Sequence, residues 1–130
     1  MIYLDAVSCI YAVESPTTRG QRVRQMLGNL QEEFCVSQLV LMECLVKPLK
    51  IGDVVMEQRI RNFIGDMTML EITPAVFDRA AHIRATTGLK TPDALHLATA
   101  IISGCDAMWT GDTEMAKRSG GFAIDVCAGL

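Results

Sequence analysis

Several stretches of this chain are apolar for three or four residues and then stop. Met1-Ile2-Tyr3-Leu4, Phe34-Cys35-Val36 and Ala107-Met108-Trp109-Thr110 are too short for helices. They also lack the alternation of a strand with one wet face. A strand of this kind is covered on both sides, as in a parallel sheet. The segments between them change to helical spacing. Val23, Met26, Leu27 and Leu30 recur at i, i+3, i+4 and i+7, while Arg19, Arg22, Arg24 and Gln25 take the other faces. We expect strands over 1–4, 33–36, 67–72, 107–110 and 122–126. Helices are expected over 8–14, from Thr17 or Thr18 to about 29, over 38–47, 53–65, 73–85, 91–103 and briefly 114–118. Pro48 is expected to end the 38–47 helix. Strands alternating with helices predict a three-layer α/β/α fold on a mainly parallel sheet.

At 130 residues the chain fits one domain, 1–130, around one core. Half of it is hydrophobic, which excludes disorder. A net charge of −3 argues against coating duplex nucleic acid by charge alone, but not against a local site whose charge comes from metal ions. The five cysteines are odd in number and form no CxxC pair, so they read as reduced core residues rather than a disulfide frame or zinc site. The eight methionines read as core filler. No basic leader and no membrane-length apolar run is present, so a soluble, cytoplasmic protein is expected.

Four acids stand out against this pattern. Asp5 ends the first strand and Asp112 follows the fourth. Glu43 is the one acid in the apolar segment Leu39 to Val46. Asp93 lies in Lys90-Thr91-Pro92-Asp93-Ala94-Leu95-His96-Leu97-Ala98-Thr99-Ala100, where Thr91 suits an N-cap and Pro92 the first helical position. In an open parallel sheet, ligands bind beyond the carboxyl ends of the strands where the strand order reverses. All four acids can converge there. Clustered carboxylates repel and need protons or hard cations. An all-oxygen donor set selects Mg²⁺ or Mn²⁺ over zinc, and such ions suit phosphoryl chemistry with an activated water.

Leu4-Asp5, the Glu43 helix, the Thr91-Pro92-Asp93-Ala94-Leu95-His96-Leu97-Ala98-Thr99-Ala100 segment and Trp109-Thr110-Gly111-Asp112 resemble the acidic motifs of PIN-domain nucleases. The size and the early first strand resemble VapC-type toxins of toxin–antitoxin modules. The resemblance implies a PIN fold and a metal-dependent endoribonuclease that uses Mg²⁺, with Mn²⁺ able to substitute. It also implies a homodimer and a cognate VapB-like antitoxin. Asp5, Glu43, Asp93 and Asp112 would hold the metal and carry catalysis, with Thr110 and Ser8 as auxiliary hydroxyls. Two positions depart from the pattern. Ala6-Val7 follow Asp5 where relatives often carry a hydroxyl and another polar residue, and Gly111 stands where Asn is frequent.

Other readings fit less well. A haloacid-type phosphatase needs a second Asp two residues after the first, where Val7 stands. A signalling receiver needs an Asp at the end of the third strand, which Met69-Leu70-Glu71-Ile72 lacks. A PIN-like interaction module without catalysis, or a PIN nuclease that is not a toxin, remains the alternative. His96 reads as a packed, hydrogen-bonded core histidine, and Glu114 as a solvated helix-start acid. Lys90, Arg22 and Arg24 are cations free to meet RNA phosphate or simply to face water. An antitoxin would be expected to place an Arg or Lys among the four acids and to cover apolar surface on the 17–30 and 53–65 helices.

Overall fold

The computed structural model describes residues 1–130. Its five strands are β1 (Ile2–Leu4), β2 (Phe34–Ser37), β3 (Thr68–Leu70), β4 (Ala107–Thr110) and β5 (Ala123–Asp125). All neighbouring pairs are parallel, in the order β3-β2-β1-β4-β5. The sheet is therefore wholly parallel. The apolar runs explain why: Ile2, Tyr3 and Leu4 are all buried, as are Cys35, Val36, Met108 and Trp109. Side chains on both faces of these strands are covered, which a one-sided sheet would not allow.

The helices are α1 (Ala6–Glu14), α2 (Thr18–Asn29), α3 (Gln38–Ile51), α4 (Val54–Gly65), α5 (Pro74–Thr87), α6 (Thr91–Ile102) and α7 (Thr113–Arg118). Connections from β1 to β2 to β3 run one way along the sheet, and those from β3 to β4 to β5 run the other. Right-handed crossovers therefore put α1–α4 on one face and α5–α7 on the other, giving three layers. Twenty-eight buried hydrophobic residues form one core cluster between them. No helix is long and apolar enough to cross a membrane.

Three local expectations change. Helix α3 does not stop at Pro48 but continues to Ile51, where Gly52 adopts a left-handed conformation (φ 71°) and caps it. Pro48 costs only the bond that its missing N–H would have given to the Cys44 carbonyl. Its own carbonyl still accepts from the Gly52 and Asp53 amides. The N-cap of α6 is Lys90 rather than Thr91, so Pro92 sits one place further in, where its amide is still not required. The methionines divide: Met108 and Met115 are core residues, whereas Met42 is exposed. The cysteines are all free thiols, four of them buried. Cys35 and Cys105 meet at 3.4 Å between sulfurs.

Candidate functional site

Strand order reverses at β1, which lies between β2 and β4. Leu4 pairs with Trp109, and the Asp5 amide donates to the Trp109 carbonyl at 3.1 Å, so Asp5 leaves the sheet beside the end of β4. There it becomes the N-cap of α1, its Oδ1 accepting from the Ser8 amide at 2.8 Å. Asp112 has the same role one strand over. It caps α7, its Oδ1 accepting from the Glu114 amide at 2.9 Å and more weakly from Met115 at 3.5 Å. Asp93 stands in the first turn of α6. Three carboxylates thus meet the positive ends of three helices, which helps such a cluster exist without a counter-cation.

Thr110 bears on two of them. Its buried Oγ1 accepts from the Asp112 amide at 3.1 Å, and its hydroxyl acts to lower the Asp5 carboxyl. Asp5 is nearly enclosed. Burial pushes its carboxyl up from the usual range, opposed by the donors from Thr110 and Ser8. Ser8 is fully buried, and its hydroxyl has no hydrogen-bond partner, leaving one unused polar group beside Asp5.

Asp93 senses all the others. Its carboxyl is raised first by burial and then by Asp112, with smaller contributions from Asp5 and Glu43, and His96 opposes the shift. Asp93 and Asp112 also line one cleft of about 300 Å³ with Gly88, Lys90, Glu114 and Arg118. Glu43 reaches this edge from α3 and is hydrogen-bonded to Nε2 of the buried His96. The other ring nitrogen, Nδ1, lies 2.7 Å from the Tyr3 hydroxyl, which lies 2.8 Å from Ser37 Oγ. His96 is therefore the packed, bonded histidine expected from its neighbours, and it is also the contact that holds a site acid. Tyr3 and Ser37 carry this arrangement without having drawn attention as sequence. The available signal was a tyrosine in an otherwise apolar, doubly covered strand, since a buried phenol needs a partner.

The cations sort themselves clearly. Arg24 is spent on the end of α1, donating to the carbonyls of Ser15 (2.9 Å), Ala12 (3.3 Å) and Tyr11 (3.4 Å). Arg22 donates to the Ala128 carbonyl at 3.0 Å. Lys90 alone of the three borders the acids, and Arg118, not singled out by its sequence, joins it. Arg118 donates to the Thr87 carbonyl and pairs loosely with Glu114, 3.5 Å away.

The two departures near the acids are spatially linked. A Cβ on Gly111 would come within 2.5 Å of Val7 Cγ1 and 3.2 Å of Tyr11 Cε2. Val7 occupies the space a side chain at 111 would need.

Carboxylate oxygens are the donor type a hard divalent cation prefers, and Asp5, Glu43, Asp93 and Asp112 are the residues that could offer them. No three His, Cys, Asp or Glu side chains form a ready-made cage. Of the four, Asp93 and Asp112 line the open cleft.

The model of the PIN domain family matches residues 2–121. No curated protein matches the sequence. Among solved structures, the chain is similar to a toxin–antitoxin complex from Klebsiella pneumoniae. The TM-score is 0.80 at 23% identity, with 97% of this chain and 98% of that one covered. It is also similar to VapC20 of Mycobacterium tuberculosis, described as a sarcin–ricin loop cleaving toxin. There the TM-score is 0.79 at 12% identity, covering 96% and 98%. A third is VapBC2 from Rickettsia felis bound to a DNA fragment from its promoter, with a TM-score of 0.76 at 15% identity, covering 95% and 98%. At these identities the likeness is one of fold.

Proposed function

The chain belongs to the PIN-domain family, a family of nucleases, and from that premise we propose that it is a metal-dependent endoribonuclease serving as the toxin of a toxin–antitoxin module. One observation carries the reading: Asp5 and Asp112 leave the paired strands β1 and β4 at the switch point of the sheet, and Asp93 lines the same cleft as Asp112. Mg²⁺ or Mn²⁺ held by Asp5, Glu43, Asp93 and Asp112 would supply Lewis acidity to water and to the phosphodiester.

The chain's own residues would do the rest. The β1–β4 pairing, with the Asp5 amide on the Trp109 carbonyl and the Asp112 amide on Thr110, would set the two strand-end acids relative to one another. Asp5, walled in by the core, presents its carboxylate in a setting of reduced polarity, where attraction to a cation is stronger. Lys90 and Arg118 flank the cleft and would meet backbone phosphates next to the scissile one.

An antitoxin partner is part of the same reading. The surface available to it differs from the expected helices. On α3, Met42, Val46, Leu49 and Ile51 are exposed, joined by Val54 and Val55 at the start of α4, whereas α2 is mostly polar outside. Helix α3 also carries an apolar groove lined by Leu41, Met42, Leu45, Val46 and Leu49. An antitoxin helix would cover this strip, and a second copy of the chain would form a homodimer through whatever part remains. A patch of this kind marks an interaction surface.

The test is cleavage of RNA by purified protein with Mg²⁺, with Mn²⁺ and with EDTA, beside Asp5→Asn, together with induced expression in a growing cell. We expect metal-dependent cleavage and growth arrest, both lost in Asp5→Asn and both relieved by co-expressing the neighbouring small protein. Cleavage without arrest or rescue would leave a PIN nuclease that is not a toxin. No cleavage with either metal would leave an interaction module.

A further inference from the structure

Glu43 differs from the other three acids in how it is placed. Asp5 and Asp112 are set by backbone amides, and Asp93 by the first turn of α6. Glu43 lies in mid-helix on α3, half-buried, and no backbone donor holds its carboxylate. A free glutamate side chain there samples several rotamers, and fixing it costs entropy. Its partner is His96 Nε2, on a different helix and the far side of the sheet order.

His96 is itself fixed. The imidazole is buried, packs against the Tyr3 ring with centroids 5.7 Å apart, and bonds the Tyr3 hydroxyl through Nδ1. The Tyr3 hydroxyl is in turn held by Ser37 Oγ, at the end of β2. Burial pushes the Tyr3 phenol far above its usual range, so it remains a donor. The arrangement accommodates one consistent direction, in which Ser37 donates to Tyr3, Tyr3 donates to Nδ1, and Nε2–H donates to Glu43. The tautomer of a histidine is set by the bond its other nitrogen makes.

We propose that His96 is a positioning residue for Glu43, and that the line Ser37–Tyr3–His96 aims the Glu43 carboxylate at the acid edge formed by Asp5, Asp93 and Asp112. The inference rests on reading that edge as the metal site of a nuclease. Hydrogen-bonded supports of metal-ligating groups typically change metal affinity by about 10–100-fold when removed. Here the support reaches from the sheet core, through two strands and a helix, to one acid.

The variants are Tyr3→Phe, which removes one hydroxyl and keeps the ring, and His96→Gln, which keeps a donor but ends the relay. Each is made alone and in a Glu43→Gln background. Mn²⁺ affinity is measured by calorimetry on metal-free protein, the concentration of Mn²⁺ for half-maximal cleavage is measured separately, and imidazole ¹⁵N–¹H spectra report the tautomer. We expect Nε2 to carry the proton in wild type and to lose that fixed signature in Tyr3→Phe. Each single variant should weaken Mn²⁺ binding about tenfold, with a smaller loss of rate at saturating metal. In the Glu43→Gln background the same changes should shift Mn²⁺ affinity less than about twofold, because nothing is left to position. A merely structural role would lower stability equally in both backgrounds without this coupling.

Equal Mn²⁺ affinity in wild type, Tyr3→Phe and His96→Gln, or an unprotonated Nε2 in wild type, overturns the positioning role while the nuclease reading stands. If wild type neither binds Mn²⁺ nor cleaves RNA, the nuclease reading falls, and the positioning of a metal ligand falls with it. The ¹⁵N spectra then tell whether the Tyr3–His96–Glu43 line exists as a purely structural network.

Discussion

At the ends of β1 and β4, Asp5 and Asp112 are held by the backbone that follows them, each capping the next helix, with the Asp112 amide also bonded to Thr110. Across the same edge, Glu43 is held by a histidine 53 residues away in sequence, itself braced from β1 and β2. The first half is local and short-ranged, so its geometry is set as soon as strand and helix form. The second half exists only when α3, α6 and the sheet have all packed. The comparison teaches that one site can combine acids that are fixed by secondary structure with an acid that is fixed by tertiary structure. Mutations should divide along that line.

The largest effect should come from the acids. Asp5→Asn, Asp93→Asn and Asp112→Asn are each expected to reduce cleavage by more than about a hundredfold, since losing a ligand should exceed the 10–100-fold typical of its supports. Folding should survive. Asn still accepts a capping bond, and one fewer charge eases repulsion, so metal-free melting temperatures should hold or rise. Asp5→Ala, which deletes the cap, should instead cost about 1 kcal/mol of stability. Thermal melts with EDTA beside gel assays separate the two losses. Full activity in Asp93→Asn would remove the centre of the site.

A second effect tests how tightly the strand-end half is packed. Gly111 has no room for a methyl group against Val7. Gly111→Ala should therefore cost about 1 kcal/mol, toward the low end for overpacking because Val7 is partly exposed and can shift. Val7→Ala should cancel most of that cost, a coupling that a double-mutant cycle of denaturation curves would reveal. Independent, additive losses would mean that the two family departures are unrelated.

The acids also predict a pH dependence with a definite sign. Asp5 and Asp93 are raised in the folded chain, so the folded state holds their protons more tightly than the unfolded one. Stability from these groups is present at low pH and is lost as pH rises from the ordinary carboxylate range through the raised values. Without metal, the gap between Asp93→Asn and wild type should be smallest below about pH 3, and Asp93→Asn should be the more stable by about pH 7. Saturating Mg²⁺ should reverse the order at pH 7, because wild type alone keeps the full ligand set. A wild type that stays more stable than Asp93→Asn at pH 7 in EDTA would mean that Asp93 is compensated by a group already in the protein.

The sequence revealed the strand-end half far better than the helical half, for a physical reason. Asp5 and Asp112 follow apolar runs directly, and strand ends are legible from hydrophobic pattern alone. The all-parallel sheet was legible the same way, from Ile2, Tyr3 and Leu4 without a polar alternate. Glu43 was visible as an isolated acid, but what holds it was not, because the contact joins residues 43 and 96, and His96 is itself braced by residue 3. Arg24 shows the opposite failure: its charge suggested solvent or phosphate, while packing turned it onto the carbonyls at the end of α1. Pro48 read as a helix end because local rules count its missing amide, while α3 continues one more turn to the left-handed Gly52.

The smallest effect marks where the strand-end half stops. Glu114 lines the cleft with Asp112 and Asp93, and its amide caps onto Asp112, so by position it looks like a fifth acid. Two features set it apart. It is exposed, and the nearest cation to its carboxylate is Arg118 on its own helix, 3.5 Å away. An exposed i,i+4 pair of this kind contributes only about 0.3–0.5 kcal/mol. Glu114→Gln should therefore leave cleavage within about threefold of wild type and Mn²⁺ affinity essentially unchanged, with a small stability change of the size just given. If Glu114→Gln instead loses cleavage as fully as Asp112→Asn, α7 supplies two ligands rather than one, and the strand-end half extends a full turn further from the sheet than its hydrogen bonds indicate.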